Sequence, residues 1–299
     1  MDPIFVQLGP LAVRWYGLLI ALGVLGGATW GLRAAERRGL DTERLLDMTL
    51  WLVIAGVVGA RLVYVLTSPS AYFGPGGNWV DAFKVWQGGI SIHGGILGVM
   101  LATWLYCRRH RLDMWAYLDV MTPVGVLGIM GGRIGNIMNG TDTGGRLTEW
   151  AIGFRWPEPG TETFGAIGRV VFGENLWQFA PPACASVPAG EPCVVHFTQF
   201  YGFLVGFILL FIVAWALRRD LPAGNVFWLF VLWYSVLRSV IEEPFRDNPL
   251  PWQVYLNDQA GVGLFTYTQL ASIPIVLIAL YMLLTAPERA KARRPAGAR

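Results

Sequence analysis

Apolar residues run through this chain in long unbroken stretches, separated by short polar ones. Windows of about 20 mostly apolar residues are long enough to span a bilayer as helices. Seven occur, at about 14–33, 47–66, 90–107, 117–136, 197–217, 224–243 and 264–284. The runs are continuous and lack the period-2 alternation of barrel strands. The pattern therefore predicts an all-α polytopic membrane protein with seven transmembrane helices. One connection is not short: residues 137–196 hold clusters of Gly, Pro, Thr and Trp. A loop of that length is usually functional or disordered, and its aromatic content favours an ordered extracytoplasmic cap. Short strands are expected there, near Trp150–Trp156 and Arg169–Phe172. The predicted organisation is one integrated domain: helices 1–4 over 1–136, the cap over 137–196, helices 5–7 over 197–284 and a basic tail over 285–299. Met1 to Pro10 lack a basic stretch followed by a small-residue cleavage site, which predicts no cleaved signal peptide.

Composition supports the membrane reading and removes others. Hydrophobic residues make up 54% of the 299 and charged residues only 14%, against about 25% charged in an ordinary soluble domain. Disorder, a collagen-like fibre and a small disulfide scaffold are excluded, and a net charge of +3 is too small to argue for nucleic acid. Position matters more than total. Arg33, Arg37, Arg38 and Arg44, then Arg108, Arg109 and Arg111, then Arg218 and Arg219, and finally the tail from Arg289 all fall in connections on one side. The opposite connections carry scattered basic residues, among them Lys84, Arg146 and Arg246. The excess near helix ends marks the cytoplasmic side, so the N-terminus is expected outside and the tail inside. Of the three cysteines, Cys107 reads as a packing residue. Cys184 and Cys193 both lie in the cap, where an oxidising compartment permits a bridge.

Charged residues inside spans are costly and are functional candidates by default. They are Arg61, Arg133, Arg238, Glu242 and Glu243, with His93 at a span start and Asn136 and Asn139 at a span end. In the predicted topology Tyr16, Arg61, His93, Arg133 and Arg238 all come near the outer face. Five helices bringing polar groups to one level suggest one site opening outward. Guanidinium groups bind phosphate in a fixed bidentate geometry, and at this level the available phosphates are those of lipid headgroups. Arg238 and Glu242, four apart, are placed to pair on one helix face. The alternative for Arg61 is helix packing around a snorkelling arginine, since Gly59-Ala60-Arg61-Leu62 and Gly131-Gly132-Arg133-Ile134 repeat a small-residue pattern that allows close helix approach. His93, flanked by Gly88-Gly89 and Gly94-Gly95, has room for a ligand or another backbone alongside it and is a candidate general base. His196, outside and just before a span, is a weaker candidate. There is no H-E-x-x-H, P-loop or G-x-S-x-G motif, and no acidic cluster suited to a divalent metal.

Gly131-Gly132-Arg133-Ile134-Gly135-Asn136-Ile137-Met138-Asn139-Gly140 closely resembles the signature of the bacterial prolipoprotein diacylglyceryl transferase family. Arg14-Trp15-Tyr16-Gly17, Gly59-Ala60-Arg61, the run from Trp86 to Gly95 around His93, and the Arg238/Glu242 pair resemble further motifs of that family in the same order. The resemblance runs from about Val13 to Leu284. It implies a seven-helix inner-membrane enzyme with its active site toward the outer face, needing no metal or nucleotide cofactor. Such enzymes move the diacylglyceryl group of phosphatidylglycerol onto the lipobox cysteine thiol of preprolipoproteins, forming a thioether and releasing glycerol phosphate. His93, Arg133 and Arg238 would be catalytic; Tyr16, Arg61, Asn136, Asn139 and Glu242 would bind substrate, Glu242 also holding Arg238. Two positions depart from the family's pattern. Thr141, followed by Asp142, stands where a glutamate is usual. His196-Phe197-Thr198-Gln199-Phe200-Tyr201-Gly202 replaces H-P-S-Q-x-Y-E and ends in glycine instead of glutamate. These departures keep a second reading open, a lipid-binding or lipid-transporting relative without transferase activity.

Overall fold

The computed structural model describes residues 4–8, 11–85, 88–139, 144–155, 182–188, 190–252 and 254–288. An antiparallel strand pair, β1 (Ile4–Leu8) and β2 (Leu11–Arg14), precedes the helices. These are α1 (Trp15–Arg37), α2 (Thr42–Thr67), the short α3 (Ser70–Phe73), α4 (Ile92–His110), α5 (Met114–Asn139), α6 (Thr198–Leu217), α7 (Asn225–Leu237) and α8 (Tyr267–Leu284). Six of them are long and apolar enough to cross a membrane: α1, α2, α5, α6, α8, and α7 with its continuation to Phe245. The third expected span is also helical, as α4. It falls outside those six because His93, three glycines and Arg108-Arg109 dilute its apolar residues.

Caps explain several boundaries. Asp41 accepts from the Arg44 N–H at the start of α2, satisfying one of the donors a helix N-terminus leaves open. Thr266 and Gln269 form a reciprocal capping box at the start of α8. The α7 N-terminus is capped from far along the chain: fully buried Asp119 accepts from the N–H groups of Gly224 and Phe227, at 2.9 Å each.

The chain forms two compact units, Met1–Gly31 with Asp119–Arg299, and Leu32–Leu118. In the first, α1 and α5 run antiparallel with almost no side chain between them. A Cβ on Gly23, Gly27 or Gly31 would collide with the backbone of Leu127, Val124 or Val120 in turn, and one on Gly131 or Gly135 with Leu19 or Tyr16. With lipid as apolar as the side chains, such close backbone packing is a main source of helix association. A second core lies where Val126 of α5 meets Val205, Leu209, Val213 and Ala216 of α6 and Val226 of α7. In the second unit α2 and α4 pack the same way, with Gly94 against the Gly59 carbonyl and Gly98 against that of Ala55. The expected role of the Gly59 and Gly131 motifs in close packing is therefore met in both helices. Cys107 is buried beside Met48.

The described parts of the 137–196 connection are ordered within the first unit. Strand β3 (Phe154–Arg155) pairs with β4 (Val194–Val195), so part of the Trp150–Trp156 expectation is met. Arg169–Phe172, Thr141, Asp142 and the tail from Arg289 lie outside the described residues. Cys184 and Cys193 are joined in a disulfide. A third strand pair, β5 (Tyr255–Asn257) with β6 (Val262–Leu264), precedes α8.

Candidate active site

The site is built where α7 stops being an α-helix. After Leu237 the chain makes one π-helical turn, Arg238–Glu242, then a short 3₁₀ turn, Glu243–Phe245. Pro244 has no N–H to continue the ladder. In the wider turn the Glu243 N–H donates to the Arg238 carbonyl, five residues back. That leaves the Ser239 carbonyl, which accepts from the Gln269 side chain at 2.9 Å. π turns of this kind are rare and frequent at functional sites.

The wider turn overturns the expected Arg238–Glu242 pair. In an α-helix residue i+4 lies under residue i, whereas here i+5 does. The ion pair of Arg238 is with Glu243, at 3.7 Å. Its hydrogen bond goes to the Tyr234 hydroxyl, at 3.1 Å. Glu242 instead faces Arg133 of α5, at 2.5 Å, and Arg246, at 3.0 Å, both on the same carboxylate oxygen. Glu242 and Glu243 are essentially inaccessible, with 1% and 0% exposure. Among the described residues the cluster therefore holds three guanidiniums against two carboxylates. Arg238 is its most open cation, with several N–H donors unspent among the described residues. Arg246 was not singled out as a site residue by sequence, and Glu243 only as one of the charged residues inside a span, with no partner assigned. Arg246 lies past the span end, and only the π turn reveals which neighbour each acid meets.

Gly202 of α6 packs against this cluster. A Cβ there would overlap the Arg133 side chain near Nε and come within 2.9 Å of Glu242 Oε2. The position that departs from the family's glutamate is thus filled by the Arg133–Glu242 pair, and no side chain fits without moving Arg133. Tyr16, 38% exposed, lies against Gly135. Asn136 is half-buried one residue on. Asn139 is the last residue of α5, and its side chain lies outside the described atoms.

Arg61 and His93 belong to the second unit. The Arg61 guanidinium is turned to backbone: Nε donates to the Ala82 carbonyl at 2.8 Å, Nη1 to Gly88 and Gly89, and Nη2 to Asp81. It also lies over the rings of Tyr64 and Tyr72. Gly88 and Gly89 have φ of 85° and 71°, a region that favours glycine, and so aim both carbonyls at one cation. Arg61 organises the segment leading into α4 and has few donors left for a phosphate. His93, in the first turn of α4, is exposed.

His196 has a different place. It is buried, with 1% exposure, among Trp150, Tyr201 and Phe245. Nε2 is 2.8 Å from the Ala260 carbonyl, so it carries the proton and donates; Nδ1 accepts from the Tyr201 hydroxyl at 3.0 Å. Burial pushes its pKa below the ordinary histidine value, partly offset by the bond to Ala260. A neutral imidazole with both nitrogens used holds together the segments around residues 146, 196, 245 and 260.

The sequence model of the family described as prolipoprotein diacylglyceryl transferase matches residues 3–285. A phosphatidylglycerol–prolipoprotein diacylglyceryl transferase of Thermus thermophilus is 47% identical over 287 residues, covering 93% of this chain and 96% of the relative. One of Deinococcus radiodurans is 42% identical, covering 95% and 85%. One of a Thermoanaerobacter species is 33% identical, covering 95% and 93%. The resemblance first carried by the motif around Arg133 extends over nearly the whole chain, and this protein belongs to the prolipoprotein diacylglyceryl transferase family.

Proposed function

We propose that this protein transfers the diacylglyceryl group of phosphatidylglycerol to the lipobox cysteine thiol of preprolipoproteins, at a site near the outer face of a bacterial inner membrane. The observation that carries the reading is the paired-acid cluster at the end of α7, which fixes Arg133 and leaves Arg238 with donors free for an anion. In the proposed step the thiol gives its proton to the His93 imidazole. Sulfur bonds to the glycerol carbon as that carbon's bond to the phosphate oxygen breaks, and the oxygen leaves with the electron pair as glycerol phosphate. Charge grows on the phosphate as the bond breaks, so Arg238, held by Glu243 and Tyr234, stabilises the transition state more than the ground state. Tyr16, Asn136 and Asn139 orient the headgroup by hydrogen bonds. Arg61 supports the segment carrying His93. Seven spans with the N-terminus outside place residues 137–196 outside, and the Cys184–Cys193 disulfide supports that side.

The test is incubation of the purified protein with phosphatidylglycerol and a lipobox peptide, followed by mass spectrometry. A gain of one diacylglyceryl unit on the cysteine is expected, lost in Arg133→Ala and His93→Ala. An unmodified peptide with lipid still bound would support the non-catalytic reading, and full transfer by either variant would remove that residue from the mechanism.

A further inference from the structure

We propose that Glu243 is a positioning residue for Arg238, and that the π-helical turn is the device that puts it there. The inference rests on the reading of Arg238 as the phosphate-facing cation.

The two acids at the end of α7 are adjacent in sequence but serve different partners. Glu242 is engaged by Arg133 and Arg246. Glu243 is held from the other side. Its Oε1 accepts from the Thr266 hydroxyl at 2.8 Å and from Asn248 Nδ2 at 2.7 Å. Its Oε2 is buried without a hydrogen-bond partner among the described residues, and Arg238 Nη2 stands 3.7 Å away. A carboxylate buried with one oxygen unsatisfied is costly, and removing water from it makes its field on a neighbouring cation stronger. Packing an apolar side chain there would be cheaper. What the arrangement supplies is a fixed anion beside Arg238.

That anion is anchored outside its own helix. Thr266 is at once the cap of α8, accepting from the Gln269 N–H, and the donor to Glu243. Gln269 completes the capping box and also donates to the Ser239 carbonyl left open by the π turn. One α8 terminus thus fixes both the carboxylate and the turn that aims it. In a regular α-helix Glu242, not Glu243, would lie beneath Arg238, and Arg133 would lose its partner. Glu243 neither reaches substrate nor moves a proton; it limits where the Arg238 guanidinium can point.

The test uses the full chain with phosphatidylglycerol and a lipobox peptide, measuring kcat, KM for the lipid and the unfolding midpoint. Glu243→Gln keeps the shape and removes the charge. The expected result is a kcat lower by about tenfold or more per folded protein, with KM changed by less than about threefold. In an Arg238→Lys background the same change should cost less than about twofold, because the two act as a unit. An equal factor in both backgrounds, or an unchanged kcat, overturns the proposal. Full activity of Arg238→Lys itself would instead overturn the reading of Arg238. If the glutamine variant accumulates poorly, Glu243→Asp keeps the charge but withdraws it by one methylene. A fall in kcat at constant KM is then expected, and an unchanged kcat overturns the proposal.

Discussion

At the scale of single residues, the ionisable groups divide by whether their bonding capacity is already spent. Arg61 and His196 have spent theirs inside the protein, while Arg238 has not. For His196 this gives a pH prediction. Burial lowers its folded pKa below the ordinary 6.5, so between the two values the unfolded chain binds the proton and the folded one does not. Stability then rises with pH across that window. The contribution is complete above about 6.5 and is lost as pH falls through the lowered folded value. Unfolding midpoints in detergent from pH 8 to 5 should drop at the acid end for the native chain. The drop should be shallower for His196→Gln, whose side chain does not titrate; parallel curves would refute it. Gly202 shows the same principle from the side of space. It is glycine because Arg133 and Glu242 occupy the room a side chain would need.

At the scale of elements, glycines decide which helices touch. Gly27 faces the backbone of Val124, and a Cβ there would come within 2.5 Å of the Val124 Cα. Gly128, one turn along the partner helix, has nothing within 4 Å of such an atom. Gly27→Ala should therefore force α1 and α5 apart and destabilise the protein by about 1–3 kcal/mol. Gly128→Ala should be neutral or slightly stabilising, since alanine is the better helix former. Thermal unfolding of both variants in one detergent checks this; equal midpoints would show that the α1–α5 contact does not depend on backbone proximity. The π turn after α7 belongs to the same scale. One residue of register decides which of two neighbouring acids faces which arginine.

At the scale of the whole molecule, the proposed orientation has a direct chemical test. With residues 137–196 outside, a membrane-impermeant maleimide applied to intact cells should label Cys184 and Cys193 only after reduction. Buried Cys107, on the side that this orientation puts inside, should stay unlabelled. Labelling of the pair without reduction, or only after permeabilisation, would contradict the bridge or the orientation respectively. The apolar helices, six of them long enough to cross a membrane, were legible because lipid demands long apolar helices with their backbone bonds satisfied internally, a demand written residue by residue. Arg133 and Arg238 were legible for the converse reason, since a charge in an apolar run is costly and stands out. Asp119 shows the limit. Its role as the α7 cap depends on Gly224 and Phe227, about a hundred residues away, and no local pattern names that partner. The sequence by itself determined the membrane class, the helices, the family and the candidate cations. Only the tertiary structure decided that Arg61 is bound to backbone, that His196 is a neutral strut, and that Glu242 and Glu243 serve different arginines. Helix and span formation depend on neighbours along the chain, whereas the use of a charge depends on which atoms folding brings within about 4 Å of it.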